Sequence, residues 1–173
     1  MKFDAAIVQT TCQSPWGIIT LAATPAGLAG LWFEGQKHLP PELIGATVWP
    51  TDAHHSVLKQ ASEQLTEYFA GKRNCFNVPL DLTGGTEFQQ SVWQALLAIA
   101  SGQTASYGEI SRHIGKPAAV RAVGAAIGRN PVSIIVPCHR VIGRNGSLTG
   151  YAGGLDRKTA LLTLEGALPE SLL

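Results

Sequence analysis

Cysteine is scarce in this chain, and the cysteines it has are poorly placed to organise a fold. Cys12, Cys75 and Cys138 are spread over 173 residues. The count is odd, no Cys-x-x-Cys occurs, and no Cys/His group has the spacing of a zinc site. No metal and no cofactor are therefore expected, and free thiols suit a reducing compartment. No apolar run approaches the roughly 18 residues of a membrane span. Met1-Lys2-Phe3-Asp4 lacks the apolar stretch and cleavage site of a secretory leader. The expectation is a soluble, cytoplasmic protein without a membrane partner. Repeats and low-complexity segments are also missing. Charged residues make up only 14%, and a formal net charge of +1 says nothing by itself about partners. What the chain does have is 45% apolar residues, enough to bury a core in one or two small domains.

The distribution of charge says more than its total. Residues 1–85 carry five Lys/Arg and seven Asp/Glu, a net of −2, whereas residues 86–173 sum to +3. Between 103 and 150 stand Arg112, Lys116, Arg121, Arg129, Arg140 and Arg144 against Glu109 alone. A basic zone of that kind attracts phosphates, although an ordinary solvated face has the same composition.

Three short strands are read at 5–12, 16–23 and 28–34. Ser14-Pro15 and Thr24-Pro25-Ala26-Gly27 form turns between them, giving an antiparallel meander. Residues 36–52 look irregular. Asp52 is a plausible N-cap for a helix at 54–70, where Leu58, Ala61, Leu65 and Phe69 share a face and Gly71 ends the run. Residues 72–85 read as a connector, which divides an α/β domain at 1–80 from a second domain at 81–173. There Thr86…Gln89 and Ser106…Glu109 are capping boxes. They open helices running to about 100 and through Ile110 and Ile114. Lys116-Pro117 then starts a further helix at 117–127, and the last helix spans 155–165. Two helices with a short Gly-containing break between them have helix-turn-helix spacing.

The chemistry concentrates at Ile134-Ile135-Val136-Pro137-Cys138-His139-Arg140-Val141. The β-branched run reads as a buried strand stopped by Pro137. It leaves a thiol, an imidazole and a guanidinium at its end, a setting that favours a thiolate nucleophile. A small buried cysteine beside a surface histidine is the plainer alternative. The helix around Arg121 is otherwise nearly all Ala and Gly. That suits tight helix packing, or a helix in a DNA groove that reads little sequence and inserts one side chain where a base has left. Asn130-Pro131 is a turn signal and a candidate hinge. Tyr107 offers a phenol able to donate a proton to a leaving heterocycle. Glu165 faces the negative end of a helix dipole and calls for a partner, for which His139 is a candidate. Tyr151-Ala152-Gly153-Gly154 is a glycine-rich loop with backbone N–H groups free to meet a base. Cys12 and Cys75 read as structural, and His38, His54, His55 and His113 as surface residues.

Taken together, these motifs resemble the O6-alkylguanine-DNA alkyltransferase family of direct-reversal repair proteins. The resemblance covers about residues 86–166. It rests on Pro137-Cys138-His139-Arg140-Val141, Ser106-Tyr107, Arg121-Ala122-Val123-Gly124, Asn130-Pro131, Tyr151-Ala152-Gly153-Gly154 and Leu164-Glu165-Gly166. It implies an α+β protein, with a ribonuclease-H-like first half and a winged-helix-like second half. It implies a stoichiometric methylated-DNA–protein-cysteine methyltransferase acting on O6-alkylguanine, and also on O4-alkylthymine. Cys138 is the implied acceptor. His139 acts through a water, Glu165 orients it, Tyr107 protonates the base, Arg121 is the finger and Asn130 the hinge. The implied substrate contacts are the carbonyls of Cys138 and Val141, the Ala152 N–H, and the neighbouring Tyr151 and Gly153. Lys116, Pro117 and Arg144, with Tyr107, are the implied contacts to the minor groove of double-stranded DNA, bound with low sequence specificity. The implied state is a monomer, able to load cooperatively on DNA and associated with the nucleoid if bacterial. Ala152 departs from the family pattern by lacking a hydroxyl, and the Cys-rich metal segment of some relatives is missing. A cysteine hydrolase needs an oxyanion hole and a distant His, which this chain does not offer. A lesion-binding module without chemistry does not account for Cys138.

Overall fold

The computed structural model describes residues 1–45 and 48–168. The meander forms as the turn signals dictate. Strands β1 (Val8–Ser14), β2 (Gly17–Thr24) and β3 (Gly27–Phe33) make one antiparallel sheet in that order. Every residue of β3 is buried, as expected of a strand covered on both faces. Helix α1 (Ser56–Phe69) lies across the sheet and sinks Leu58, Ala61, Leu65 and Tyr68 into the core. Each fully buried leucine is worth about 1.5–3 kcal/mol of removed apolar surface. Trp32 and Trp49, with Phe3 packed against them, form a smaller cluster with Ile7, Ala22 and Ala29.

Helices α2 (Glu87–Leu96) and α3 (Tyr107–His113) both open on complete capping boxes, at Thr86/Gln89 and Ser106/Glu109. Strand β4 (Ala105–Ser106) pairs in parallel with β5 (Val141–Ile142). Helix α4 (Val120–Gly128) packs on α2 and α3, and the Trp93 indole donates to the Ala126 carbonyl at 2.9 Å. Helix α5 (Leu155–Leu164) closes the fold, with Glu165 as its C-cap residue. This is the anticipated α+β arrangement. Among the described residues no helix is long and apolar enough to cross a membrane.

Three local expectations fail. Asp52 does not cap α1. It is held against β1 by its own N–H on the Gln9 carbonyl (2.9 Å), and its carboxylate accepts from the His54 N–H. The N-cap position falls to His55, which supplies no side-chain bond. Pro117 does not begin α4 either. The Ala119 N–H bonds the Lys116 carbonyl in a turn, and the helix starts three residues later than read. Most consequentially, 134–136 is not a strand. Only Val132 bridges β3, at Leu31, and the chain then turns, with Ile134 at φ 70°. A β-branched residue in that region is strained. Of the irregular segment 36–52, residues 46 and 47 lie outside the described residues.

The free edge of β3 is closed at both ends. Leu28 N–H bonds the Pro79 carbonyl and Asp81 N–H bonds the Leu28 carbonyl, while Leu31 pairs with Pro131 and Ser133. Connector and turn thereby cover an edge that would otherwise invite another strand. Gly27 makes the first closure feasible: its φ is +152°, and a Cβ there would lie 2.6 Å from the Pro79 oxygen. Gly27→Ala should lower stability by about 2–3 kcal/mol, combining backbone strain with a backbone clash. Gly35→Ala, at φ +72° with nothing within 4 Å of the added carbon, should cost only about 1 kcal/mol. Urea denaturation midpoints of the two variants check the order.

Candidate active site

The turn that replaces the expected strand is built around one amide. Asn130 Oδ1 accepts from the Val132 N–H (3.0 Å), and Nδ2 donates to the Val136 carbonyl (2.8 Å). The same Nδ2 lies 3.0 Å from the Cys138 sulfur. A buried apolar loop must satisfy its backbone somewhere; here main-chain bonds from Ser133, Ile135, Val136 and Cys138 do most of it, and the Asn130 amide takes the Val132 N–H and the Val136 carbonyl while touching the thiol. Pro137 then leads into a 3₁₀ turn, Cys138–Arg140. Burial pushes the Cys138 thiol up. The Asn130 amide, the Lys158 charge and the N–H groups of Cys138 and His139 act in the opposite direction without overcoming it. The sulfur is therefore a thiol at neutral pH and must lose a proton to react.

His139 is fully buried. Its Nε2 lies 2.9 Å from Glu165 Oε1. Since a carboxylate only accepts, Nε2 carries the proton and Nδ1 keeps its lone pair. Nδ1 is buried and finds no hydrogen-bond partner among the described residues. Burial pulls the imidazole below its ordinary range, against the Glu165 contact that raises it, so the ring is neutral and able to take a proton. For Glu165, burial is outweighed by the hydrogen bonds and charges of His139 and Arg140, which hold it at about 2. The partner expected from the helix dipole is thus present, and Arg140 joins it, with Nε and Nη2 each 2.8 Å from a carboxylate oxygen. Arg140 is 7% exposed. It is withdrawn from the basic surface to which its sequence position assigned it.

A cavity of about 190 Å³ lies before the sulfur, lined by Lys37, His38, Tyr107, Gly124, Ile127, Gly128, Cys138, Gly150, Tyr151 and Ala152. That is roughly six water volumes at ~30 Å³ each, a space suited to a planar base rather than an extended substrate. Tyr107 also lines a larger adjoining groove of about 670 Å³ with Ser106, Arg112, Pro117, Val120 and Arg144. Lys116 and Arg121 are exposed on the same turn and helix. Gly153 is buried beside Tyr151, and Val141 is buried outside the cavity lining. Cys12 is half-buried in β1 and Cys75 exposed on the connector, and neither borders this cavity. Among the described residues no group of three His, Cys, Asp or Glu side chains is placed to hold a metal.

Sequence reasoning missed three contributors. Lys37 and His38 read as loop and surface, yet both border the cavity, and the Lys37 N–H bonds the Ala152 carbonyl at 2.9 Å. Lys158 is not singled out in the sequence, and it is fully buried. Its ammonium donates to the carbonyls of Val141 (2.6 Å), Thr149 (2.8 Å) and Gly150 (3.4 Å), and burial brings it down to about 8. A signal existed: Lys158 stands three and four residues before Leu161 and Leu162, on the buried face of α5.

A small sheet with a helix, joined to a mainly helical half that sets Cys138 at the edge of a cavity with His139 buried behind it, defines a class of α+β proteins built around one buried cysteine. Residues 87–167 match the family model for the DNA-binding domain of 6-O-methylguanine DNA methyltransferase, and residues 7–82 match its ribonuclease-like domain. The methylated-DNA–protein-cysteine methyltransferase of Mycobacterium tuberculosis is 52% identical over 155 residues, 90% of each chain. The inducible enzyme of that name from Bacillus subtilis is 60% identical over 147 residues, 80% of each. A crystal structure of M. tuberculosis OGT in complex with DNA superposes with a TM-score of 0.83 at 49% identity, covering 95% of this chain and 97% of that one. The chain belongs to the 6-O-methylguanine DNA methyltransferase family.

Lys158→Met keeps an unbranched apolar stem but removes the donor from three carbonyls. Of the three acceptors only the Val141 carbonyl is buried; leaving one buried acceptor unsatisfied should cost about 1–3 kcal/mol. Chemical denaturation checks this. A loss under about 0.5 kcal/mol, the ordinary range for a surface change, contradicts the structural role.

Proposed function

We propose that this protein repairs O6-alkylguanine in duplex DNA by moving the alkyl group onto its own Cys138, once per molecule. The observation that carries this is the Cys138 sulfur at a base-sized cavity, with Tyr107 shared between that cavity and the groove beside α3 and α4. The sulfur attacks the alkyl carbon; a carbon–sulfur bond forms as the carbon–O6 bond breaks. His139 Nδ1, acting through a water, receives the thiol proton, and Glu165 fixes the tautomer that makes this feasible. Tyr107 supplies the proton that lets guanine leave neutral, and its phenolate is restored by the proton that His139 received, passed back through solvent. The products are unmodified guanine and a thioether, which no group in the site can cleave.

The target base has to leave the stack, at a cost of a few kcal/mol that is least for a damaged pair. The Ala/Gly surface of α4 suits close approach to the minor groove with little sequence readout, and the exposed Arg121 is the side chain we assign to the gap. Lys116, Pro117, Arg144 and Tyr107 are assigned to the DNA backbone, and Asn130 to holding the link between α4 and Cys138. The carbonyls of Cys138 and Val141, the Ala152 N–H and the neighbouring Tyr151 and Gly153 are assigned to the base. Val141 already accepts from Lys158, and its oxygen keeps a second lone pair. O4-alkylthymine belongs to the same proposal. So do a monomeric state with cooperative loading on DNA, a cytoplasmic location with nucleoid association if bacterial, and a division into units at 1–80 and 81–173. The separate family matches on either side of residues 83–86 support that division.

Intact mass after exposure to an O6-methylguanine duplex should rise once, by a net CH2, on the peptide holding Cys138. Modification of Cys12 or Cys75 instead, or continued turnover with excess substrate, contradicts the assignment. Cys138→Ala should abolish transfer and keep DNA binding in a gel shift. Arg121→Ala should slow repair of duplex by about tenfold or more, equivalent to ~1.4 kcal/mol of lost flipping assistance, and leave reaction with free O6-benzylguanine nearly unchanged. Equal losses on both substrates would count against the finger.

A further inference from the structure

The Glu165 carboxylate is reached from both halves of the chain. Oε1 accepts from His139 Nε2 at 2.9 Å, Arg140 Nη2 at 2.8 Å and the Tyr68 hydroxyl at 2.7 Å. Tyr68 lies on α1, 97 positions from Glu165, and is 2% exposed. Its ring is held between Phe69 and Phe76, with centroids 5.5 and 5.3 Å away. Packing there needs the ring and not the oxygen. Burial and the Glu165 charge both raise the phenol well above its ordinary range, so it is always a donor toward the carboxylate. Tyr68 and Glu165 also border a second cavity of about 190 Å³, with Arg73, Asn74 and Ser101.

We propose that Tyr68 is a positioning residue for alkyl transfer: its hydroxyl, contributed by the first half of the chain, fixes the Glu165 oxygen that orients His139 and limits the charge that oxygen presents to the imidazole. This rests on the roles proposed above for His139 and Glu165. The groups bearing on His139 are Glu165 and Lys158 from the α5 segment, Arg140 from its own turn, and Tyr68 from α1 through Glu165. Arg140, Lys158 and burial disfavour the imidazolium, and Glu165 favours it. Tyr68 sets how much of the Glu165 charge remains for His139. Without its hydroxyl, Oε1 is more negative, the ring protonates at higher pH, and fewer molecules hold a free Nδ1 lone pair under mildly acidic conditions.

The test is Tyr68→Phe in the full chain, which keeps the ring and deletes one oxygen. Single-turnover transfer at saturating O6-methylguanine duplex should slow by about three- to tenfold, less than the full worth of one hydrogen bond to a charged group because the hydroxyl acts on the rate only through Glu165 and His139. The loss should be larger at pH 6 than at pH 8, because the acidic limb of the pH–rate profile moves upward. Affinity for undamaged duplex should not change. The double variant Tyr68→Phe/Glu165→Gln should transfer no more slowly than Glu165→Gln alone. An unchanged rate, the same fractional loss at every pH, an effect on affinity alone, or a full additional loss in the double variant overturns the proposal. Transfer at the unmodified rate by Glu165→Gln would overturn the underlying relay as well; an impaired Glu165→Gln beside a silent Tyr68→Phe would sink the role of Tyr68 alone.

Discussion

The architecture depends on the Asn130 side-chain amide. Residues 131–137 are buried and almost wholly apolar, and in a strand their N–H and C=O groups would find ladder partners. Here they turn instead, and the amide binds the Val132 N–H, the Val136 carbonyl and the Cys138 sulfur. Through Leu31, which bonds Pro131 and Ser133, the same turn is fastened to β3. One short side chain thus ties the two ends of the turn, Val132 and Val136, to each other and to the sulfur. The strained Ile134 fits this account, since a left-handed β-branched residue persists only where its surroundings over-determine it.

Burial then shapes the electrostatics. It makes the Cys138 thiol a poorer acid and the His139 ring a poorer acceptor of charge. A sulfur that stays protonated is protected from casual oxidation and alkylation, because the thiolate is the reactive form. On the proposed mechanism, reactivity then waits until proton transfer to His139 and attack on carbon are assembled together. The cations that could stabilise a thiolate are themselves committed: Arg140 to Glu165, and Lys158 to three carbonyls. Their charge acts at a distance while their hydrogen bonds hold the walls of the site.

Much of this was legible in the chain and some was not, for identifiable reasons. The capping boxes at Thr86 and Ser106 are local signals, and both formed as read. The meander followed from its turn residues. The Ile134-Ile135-Val136 run misled because hydrophobic periodicity reports burial and cannot tell a strand from a buried loop once main-chain turns and one side chain supply the missing hydrogen bonds. Arg140 misled because counting charges assumes exposure. Lys37, His38 and Tyr68 could not be assigned to the site at all, because their approach to it depends on how the first half of the chain docks on the second, which no local pattern encodes.

That docking bears on why the first half matters to the site. The contacts across the two halves converge on the surroundings of Cys138. Arg157, on α5, donates to the carbonyls of Trp16 in the β1–β2 turn and Glu34 just after β3, and its guanidinium lies over the Phe33 ring at 4.7 Å. The Lys37 N–H fixes Ala152, and Tyr68 reaches Glu165. Each bond runs from the sheet, its following loop or α1 to an element that surrounds Cys138 or backs His139. Turns and loops of few residues are poor at holding sub-ångström geometry by themselves. The sheet and α1 provide the rigid backing that the 149–154 loop and the α5 terminus lack, so the first half serves as a clamp on the chemistry while α3 and α4 face the groove.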